Sequence, residues 1–267
     1  MSNPLKKLYF YLKYANKNEH TQEIGNITLR FSTQDRYSKS WFYPRYDKGN
    51  IHEPAVAKLL LQELKPTDCF FDVGANLGYF TCLAARICKT TVHTFEMDSY
   101  CIPLINRNVK LNQLENVVVN NNAISDKTGN EYIPRLSQPN AGLQLLTNTE
   151  GIMHTEVPAI TLDKYIADYS LAPTFLKIDV EGAEMKVLKG MTQLLQKTPK
   201  LLIEIHPKNL LDFNSTYQEV IAFLLQNGYS IEEITDHRSV TGGRKKVNLT
   251  TIISQNTMLF AKKHKTD

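Results

Sequence analysis

The chain has 267 residues, 42% hydrophobic and 22% charged, a soluble globular balance with room for one large α/β domain or two small ones. Its formal net charge of +4 is mildly basic and spread along the chain, too weak to imply a nucleic-acid partner. No apolar run approaches the roughly 18 residues of a membrane span, and the four cysteines, Cys69, Cys82, Cys88 and Cys101, form no C-x-x-C pair, which suits reduced, buried thiols in a cytoplasmic protein.

Residues 1–50 read as an N-terminal extension. Residues 4–17 pattern as an amphipathic helix, expected to pack on the domain rather than lie on a membrane. No small-residue cleavage site follows it, so a secretory signal is not expected. Residues 24–32 alternate as a strand. Residues 35–49 are dense in aromatics (Tyr37, Trp41, Phe42, Tyr43, Tyr46) with Arg36 and Arg45 among them. This segment reads either as a cover over an acceptor site, flat rings stacking on sugar or base faces, or as a core-packing strand and loop. Pro54 then opens a helix over 54–64.

The most informative stretch is 69–85. Cys69, Phe70, Phe71 and Val73 form a buried strand, residues 74–78 a glycine turn, and Tyr79, Leu83 and Ile87 the inner face of a helix. Strand, glycine turn and helix make the first unit of a nucleotide-binding α/β fold, with Asp72 at the strand end where ligands bind. The pattern D-x-G-x-N-x-G, from Asp72 through Gly74, Asn76 and Gly78, lacks the middle glycine that brings a backbone close to a pyrophosphate. A ligand without phosphates, such as S-adenosylmethionine, suits it; a tight turn that binds nothing is the plainer reading. A second strand over 91–96 ends in Glu96, about 20 residues past the turn, where an acid accepts hydrogen bonds from ribose hydroxyls.

A helix is expected over 99–112 and a third strand over 116–119, followed by Asn121, Asn122 and Ala123. An amide there reaches an adenine edge or serves turn chemistry. Glycines and prolines break the pattern at 125–160, a hairpin or loop insertion expected to shape substrate access. A short helix follows over 161–169. The strand over 174–180 carries Lys177, Asp179 and Glu181 to its end, and the helix after it is weakened by Gly190. The strand over 201–205 ends in Glu204 and His206. Ser215 with Gln218 reads as a capping box for the next helix. Closing strands are expected over 229–234 and 256–261, with Arg244-Lys245-Lys246 between them as a solvated hairpin loop.

Phe-Asp-Val-Gly-Ala-Asn-Leu-Gly-Tyr at 71–79, Phe-Glu at 95–96, Thr-Leu-Asp at 161–163, Lys-Ile-Asp-Val-Glu-Gly-Ala-Glu at 177–184 and Leu-Lys-Gly at 188–190 together resemble the FkbM-type methyltransferases. The resemblance covers roughly residues 51–206. It implies a Rossmann-like seven-stranded methyltransferase sheet with helices on both faces, S-adenosylmethionine as cofactor, and transfer to an oxygen of a sugar, glycolipid or natural product. By that resemblance Asp72, Gly74, Asn76, Gly78 and Glu96 line the cofactor; Asn122, Ala123 and Asp179 are further candidates. Met97 stands where the family often has proline, and the acceptor stays open. A nucleotide-dependent oxidoreductase is the alternative, disfavoured by the missing glycine; a non-catalytic cofactor-binding module is another, disfavoured by the acids retained at the strand ends. Glu181 and His206 are the candidate proton acceptors, with Asp179 supporting. Asp179, Glu181, Glu204 and His206 are also of metal-ligating type, but Lys177 among them disfavours a cation, so no metal is expected.

Overall fold

A computed structural model describes residues 9–10, 12–46, 49–197 and 200–263. The helix expected over 4–17 lies partly outside these; residues 9–10 and 12–13 of it are helical.

The fold is built on a sheet whose first parallel strands are β3 (Phe70–Val73), β4 (Val92–Phe95) and β5 (Val117–Asn120) on one side and β9 (Phe175–Ile178) and β10 (Lys200–Ile205) on the other. β11 (Tyr229–Ile234), β12 (Arg244–Val247) and β13 (Thr257–Lys263) complete it in the order β12-β11-β13-β10-β9-β3-β4-β5. β13 runs antiparallel between β10 and β11. The strand count is eight rather than seven because the basic run at 244–246 is an edge strand, not a solvated loop. Lys245 and Lys246 stand opposite Glu233 and Glu232 of β11, so cross-strand charge pairing offsets their poor strand propensity, and lysines on an edge discourage further pairing.

Period-2 alternation divides the sheet's side chains between two cores. Phe70, Val92, Phe175, Leu202 and Phe260 pack with α2 (Pro54–Glu63) and α3 (Tyr79–Ile87). Phe71, Phe95, Leu176, Ile178 and Ile203 pack on the other face with α5 (Leu162–Tyr169), α6 (Glu184–Lys189), α7 (Thr192–Leu195) and α8 (Tyr217–Gln226). α4 (Ile102–Leu111) connects β4 to β5. α6 and α7 divide the single helix expected after β9. A side chain at Gly190 would put its Cβ 2.1 Å from the Ser125 carbonyl oxygen, so only glycine permits that approach. The capping box of α8 is Thr216 with Glu219, one residue beyond the expected pair; both its hydrogen bonds form.

The extension departs most from expectation. β1 (Glu19–Ile24) and β2 (Ile27–Ser32) are two arms of an antiparallel hairpin, so the strand expected over 24–32 covers only a turn and one arm. Gly25-Asn26 is the two-residue turn. The aromatic segment is neither strand nor loop but α1 (Arg36–Tyr46). The Asp35 carboxylate accepts from the Ser38 N–H at 2.8 Å, capping it. Its aromatics recur at helical spacing, and Phe42 stacks on Phe31 of the hairpin with ring centroids 4.9 Å apart. The insertion forms a three-stranded sheet of β6 (Ala123–Ile124), β8 (His154–Ile160) and β7 (Gly129–Pro134), in that order, with residues 135–153 looping from it. Among the described residues no helix is long and apolar enough to cross a membrane.

Candidate active site

Two cavities open at the C-terminal ends of β3, β4 and β9, where strand order reverses about β3. The narrower, about 660 Å³, is a slot between the sheet edge and the insertion. Gly74, Asn76, Glu96, Asn122, Ala123, Asp179 and Glu181 line it, with Phe95, Ile124, Leu143 and Leu145 as apolar walls. The wider, about 1180 Å³, is a cleft shared by the sheet and the extension. Its walls carry Trp41, Arg45, Tyr46, Glu53, Asp72, Lys177, Glu204, His206 and Arg238. The two meet at Gly74, Asn76, Ala141, Asp179 and Glu181, which line both.

The backbone after β3 makes this junction. Gly74 has φ 81°, and a Cβ there would lie 1.8 Å from the Asp179 carbonyl oxygen, so the turn after β3 and the end of β9 are pressed together. Asn76 follows in the left-handed region, φ 51°, with its side-chain oxygen accepting from the Tyr37 hydroxyl at 3.0 Å. Gly78 lines neither cavity; it sits against Ile105 at the start of α3.

In the slot, Glu96 is held by two backbone donors. Its Oε2 accepts from Asn76 N–H at 2.7 Å and its Oε1 from Asp98 N–H at 2.8 Å. Each oxygen keeps a lone pair for a further donor. Burial raises its carboxyl to about 7 against the pull of those donors. Asp98, absent from the sequence reading, is 1% exposed and accepts from the Asn140 N–H at 3.0 Å, tying the insertion to the slot.

Asp72 faces the cleft rather than the slot. Strand alternation turns it to the same side as Phe70, beside Lys177, its register partner on β9. It accepts from the Thr81 hydroxyl at 2.6 Å. Burial raises its carboxyl, opposed by Lys177 and Thr81. Lys177 Nζ is 3.0 Å from Asp179 Oδ2 and is 2% exposed; although burial disfavours its charge, the surrounding acids raise it above the ordinary lysine value. Burial likewise opposes the charge of Asp179, but Lys177 and His206 outweigh it and hold the carboxyl below its ordinary value.

Asp179, Glu181 and His206 come together as expected from their strand ends. His206 Nε2 lies 3.4 Å from Glu181 Oε2 and 3.9 Å from Asp179 Oδ1. Its Nδ1 is 2.7 Å from Glu184 Oε1, a fully buried acid that also accepts from the Gly182 N–H at 3.0 Å. Burial alone would lower the imidazole, but the bond to Glu184 and the acids around it raise it to about 9. Glu181 has φ 50°, a strained position for a non-glycine residue, and its carboxylate accepts from Asn209 Nδ2 at 3.2 Å. Burial raises its carboxyl, with His206 opposing. In the cleft wall, burial pushes Glu204 up to about 9 and Glu53 up to about 7 and lowers His52 to about 3; it lowers His237, beside Glu53 and Glu204, to about 4. Glu184, Glu53, His52 and His237 were not singled out from sequence. Glu184 stands inside the motif at 177–184 and was legible there; the others meet only through long-range folding.

This sheet, with one antiparallel strand next to the end of its parallel run and a ligand slot at the β3 switch point, is that of a Rossmann-like methyltransferase. Residues 72–231 match the methyltransferase FkbM domain. Hexuronic acid methyltransferase AglP of Haloferax volcanii is 30% identical over 186 residues, 69% of this chain and 73% of that protein. Among solved structures, precorrin-6y C5,15-methyltransferase of Geobacter metallireducens aligns over 81% of this chain and 92% of its own at 13% identity and a TM-score of 0.46. An rRNA methylase of Streptococcus thermophilus aligns over 77% and 92% at 12% identity and a TM-score of 0.46. The chain belongs to the FkbM methyltransferase domain family and is a methyltransferase.

Proposed function

We propose that the chain is an S-adenosylmethionine-dependent O-methyltransferase whose acceptor is a sugar, a sugar acid foremost. The observation that carries this reading is the pair of cavities meeting at Gly74, Asn76, Asp179 and Glu181: one slot with a pinned acid and apolar walls, one polar cleft with aromatic and basic walls. The donor set fits the cofactor. Glu96 keeps acceptor capacity for a ribose diol, Phe95, Ile124, Leu143 and Leu145 form a wall for a purine, and Asn122 and Ala123 border the same slot. The AglP match supports a sugar acid. Half-buried Tyr46 offers ring surface to a pyranose at a wall it shares with the largely buried Trp41, and Arg45 and Arg238 offer donors to a carboxylate.

When bound, S-adenosylmethionine supplies the methyl group on a sulfonium. The protein's part is alignment and proton handling. Walls shared between slot and cleft hold the reacting oxygen beside the donor, and such positioning accounts for up to roughly 7–11 kcal/mol of the barrier. Glu181, on the shared wall and raised by burial, takes the proton of a hydroxyl acceptor. His206, fixed by Glu184, acts as a donor that orients the acceptor oxygen rather than as a base. Asp179, kept charged by Lys177, stands where it can accept from either ligand.

The test is label transfer from methyl-labelled S-adenosylmethionine to a panel of uronic acids, neutral glycosides, glycolipids and RNA. Label on glycosides or uronic acids supports the reading; label only on RNA, or on none of them, overturns the acceptor class.

A further inference from the structure

Glu53, Glu204 and His237 converge from three separate elements. Glu53 precedes Pro54 at the start of α2, Glu204 lies near the end of β10, and His237 sits in the loop after β11. That loop is anchored to α2, since the Ala55 N–H donates to the His237 carbonyl at 3.3 Å. The three residues are 6%, 4% and 6% exposed. His237 Nε2 lies 4.0 Å from Glu53 Oε1 and 3.9 Å from Glu204 Oε1, and the three ligand atoms all fall within 4.8 Å of one another.

Those separations are too long for hydrogen bonds and suited to an ion between the groups. With two edges of 3.9 and 4.0 Å and the third within 4.8 Å, an ion at the centre sits at most about 2.5 Å from each corner, near the ~2.0–2.2 Å of zinc bonds to nitrogen and oxygen. His237 Nε2, which faces both carboxylates, is buried with no hydrogen-bond partner among the described residues, as is Glu53 Oε2. Native proteins rarely leave such atoms unpaired, and a ligand is a standard reason. Glu53 also holds φ 42°, a left-handed position.

We infer that Glu53, Glu204 and His237 bind a divalent cation of the zinc or manganese type, one imidazole and two carboxylates being a mixed donor set suited to those ions. Three cationic side chains stand nearby; His206, held protonated by Glu184, has its Nε2 3.8 Å from Glu204 Oε1 and is already engaged by Glu184 and Glu181. Lys177 is paired with Asp179 at 3.0 Å, and Arg238, 3.6 Å from Glu204, has a side chain 68% exposed that can swing into solvent. The second cluster of metal-ligating type, Asp179, Glu181 and His206, is already partnered through Lys177, Asn209 and Glu184. Glu53 and Glu204 also line the wide cleft. Resting on the proposed function, the ion's open positions there would take an acceptor oxygen and ease loss of its proton.

The test uses the full chain stripped with chelator and dialysed, titrated with Mn²⁺ by calorimetry and by the resonance signal of free Mn²⁺, with Zn²⁺ followed by thermal melting. One saturable site per chain is expected, with a rise in melting temperature. Glu204→Gln and His237→Gln should each weaken Mn²⁺ binding at least tenfold and abolish the rise, at unchanged far-ultraviolet dichroism; Glu53→Gln serves if either fails to fold. Glu181→Gln and His206→Asn should leave Mn²⁺ affinity intact. No saturable binding below millimolar Mn²⁺, or loss through His206→Asn instead of His237→Gln, overturns the assignment. S-adenosylhomocysteine titrated into the same samples reports on the cofactor reading separately.

Discussion

Replacing Glu96 by alanine separates the cofactor reading from a purely structural one. The carboxylate accepts from the Asn76 and Asp98 N–H groups, and alanine leaves both without that partner. Two such losses cost about 2–6 kcal/mol of stability, lowering the melting temperature by at least about 4 °C. If the same carboxylate receives the ribose hydroxyls, its removal also forfeits about 1.5–3 kcal/mol of binding, a rise in Kd of roughly 10–150-fold. Calorimetry with S-adenosylhomocysteine below the variant's melting point reads that loss. The pH dependence adds an independent sign. Burial raises this carboxyl to about 7, and the ionised form is the better acceptor, so wild-type affinity should fall as pH drops from about 8 to 6. Because the folded-state pKa of about 7 lies above the 4.5 of an unfolded, solvated glutamate, the group costs stability above about 7, and that cost is relieved as pH falls toward 4.5. Glu96→Gln should flatten the binding profile. Equal affinity in wild type and Glu96→Ala at pH 8 would refute the ribose assignment whatever the melting data show.

Gly74→Ala should lose at least about 3 kcal/mol, a drop of roughly 6–12 °C in a thermal melt, because its Cβ meets the Asp179 backbone at a left-handed φ. Thr216→Ala, which opens the capping box of α8, should cost about 1 kcal/mol and leave cofactor affinity unchanged. Glu181→Gln should lower turnover of a hydroxyl acceptor by about 10²–10⁴-fold at saturating substrate, with S-adenosylhomocysteine affinity within about threefold of wild type; retained turnover would leave alignment as the whole mechanism. Arg45→Ala should raise the KM for an acidic acceptor more than for a neutral one, measured with matched uronic acid and glycoside.

What was legible in the sequence was local. The unit from β3 through α3, the acid after β4 and the acids after β9 announce themselves in short runs whose spacing is their geometry. Asp72 shows the limit of that logic: its position at a strand end was plain, but which face it takes depends on register, and it turns to Lys177 rather than to Glu96. The helix over 36–46 was hidden because aromatic density imitates a strand, and Pro44 inside it argues against helix. The edge strand at 244–247 was hidden because a basic run looks solvated until the glutamates of β11 are set opposite it. The basicity of His206 depends on Glu184, 22 residues earlier in the chain and 2.7 Å away, and Glu53, before β3, meets His237, after β11, only once the sheet has formed.

The two cavities take their outer walls from opposite sides of the glycine turn in the chain. The slot is closed by residues 140–145, within the span that matches the family, whereas the aromatic and basic wall of the cleft is written at 41–46, upstream of residue 72. Exchanging the hairpin and α1 for those of a relative would redraw that wall of the cleft, but since Ile24, Leu29, Phe31 and Phe42 share one core with α2 and α3, the graft must bring matching apolar faces. Among the described residues the Tyr37 hydroxyl, bonded to Asn76, is the side-chain hydrogen bond that joins α1 to the glycine turn, so a graft that keeps a tyrosine at 37 keeps the wall of the cleft tied to the turn shared with the slot.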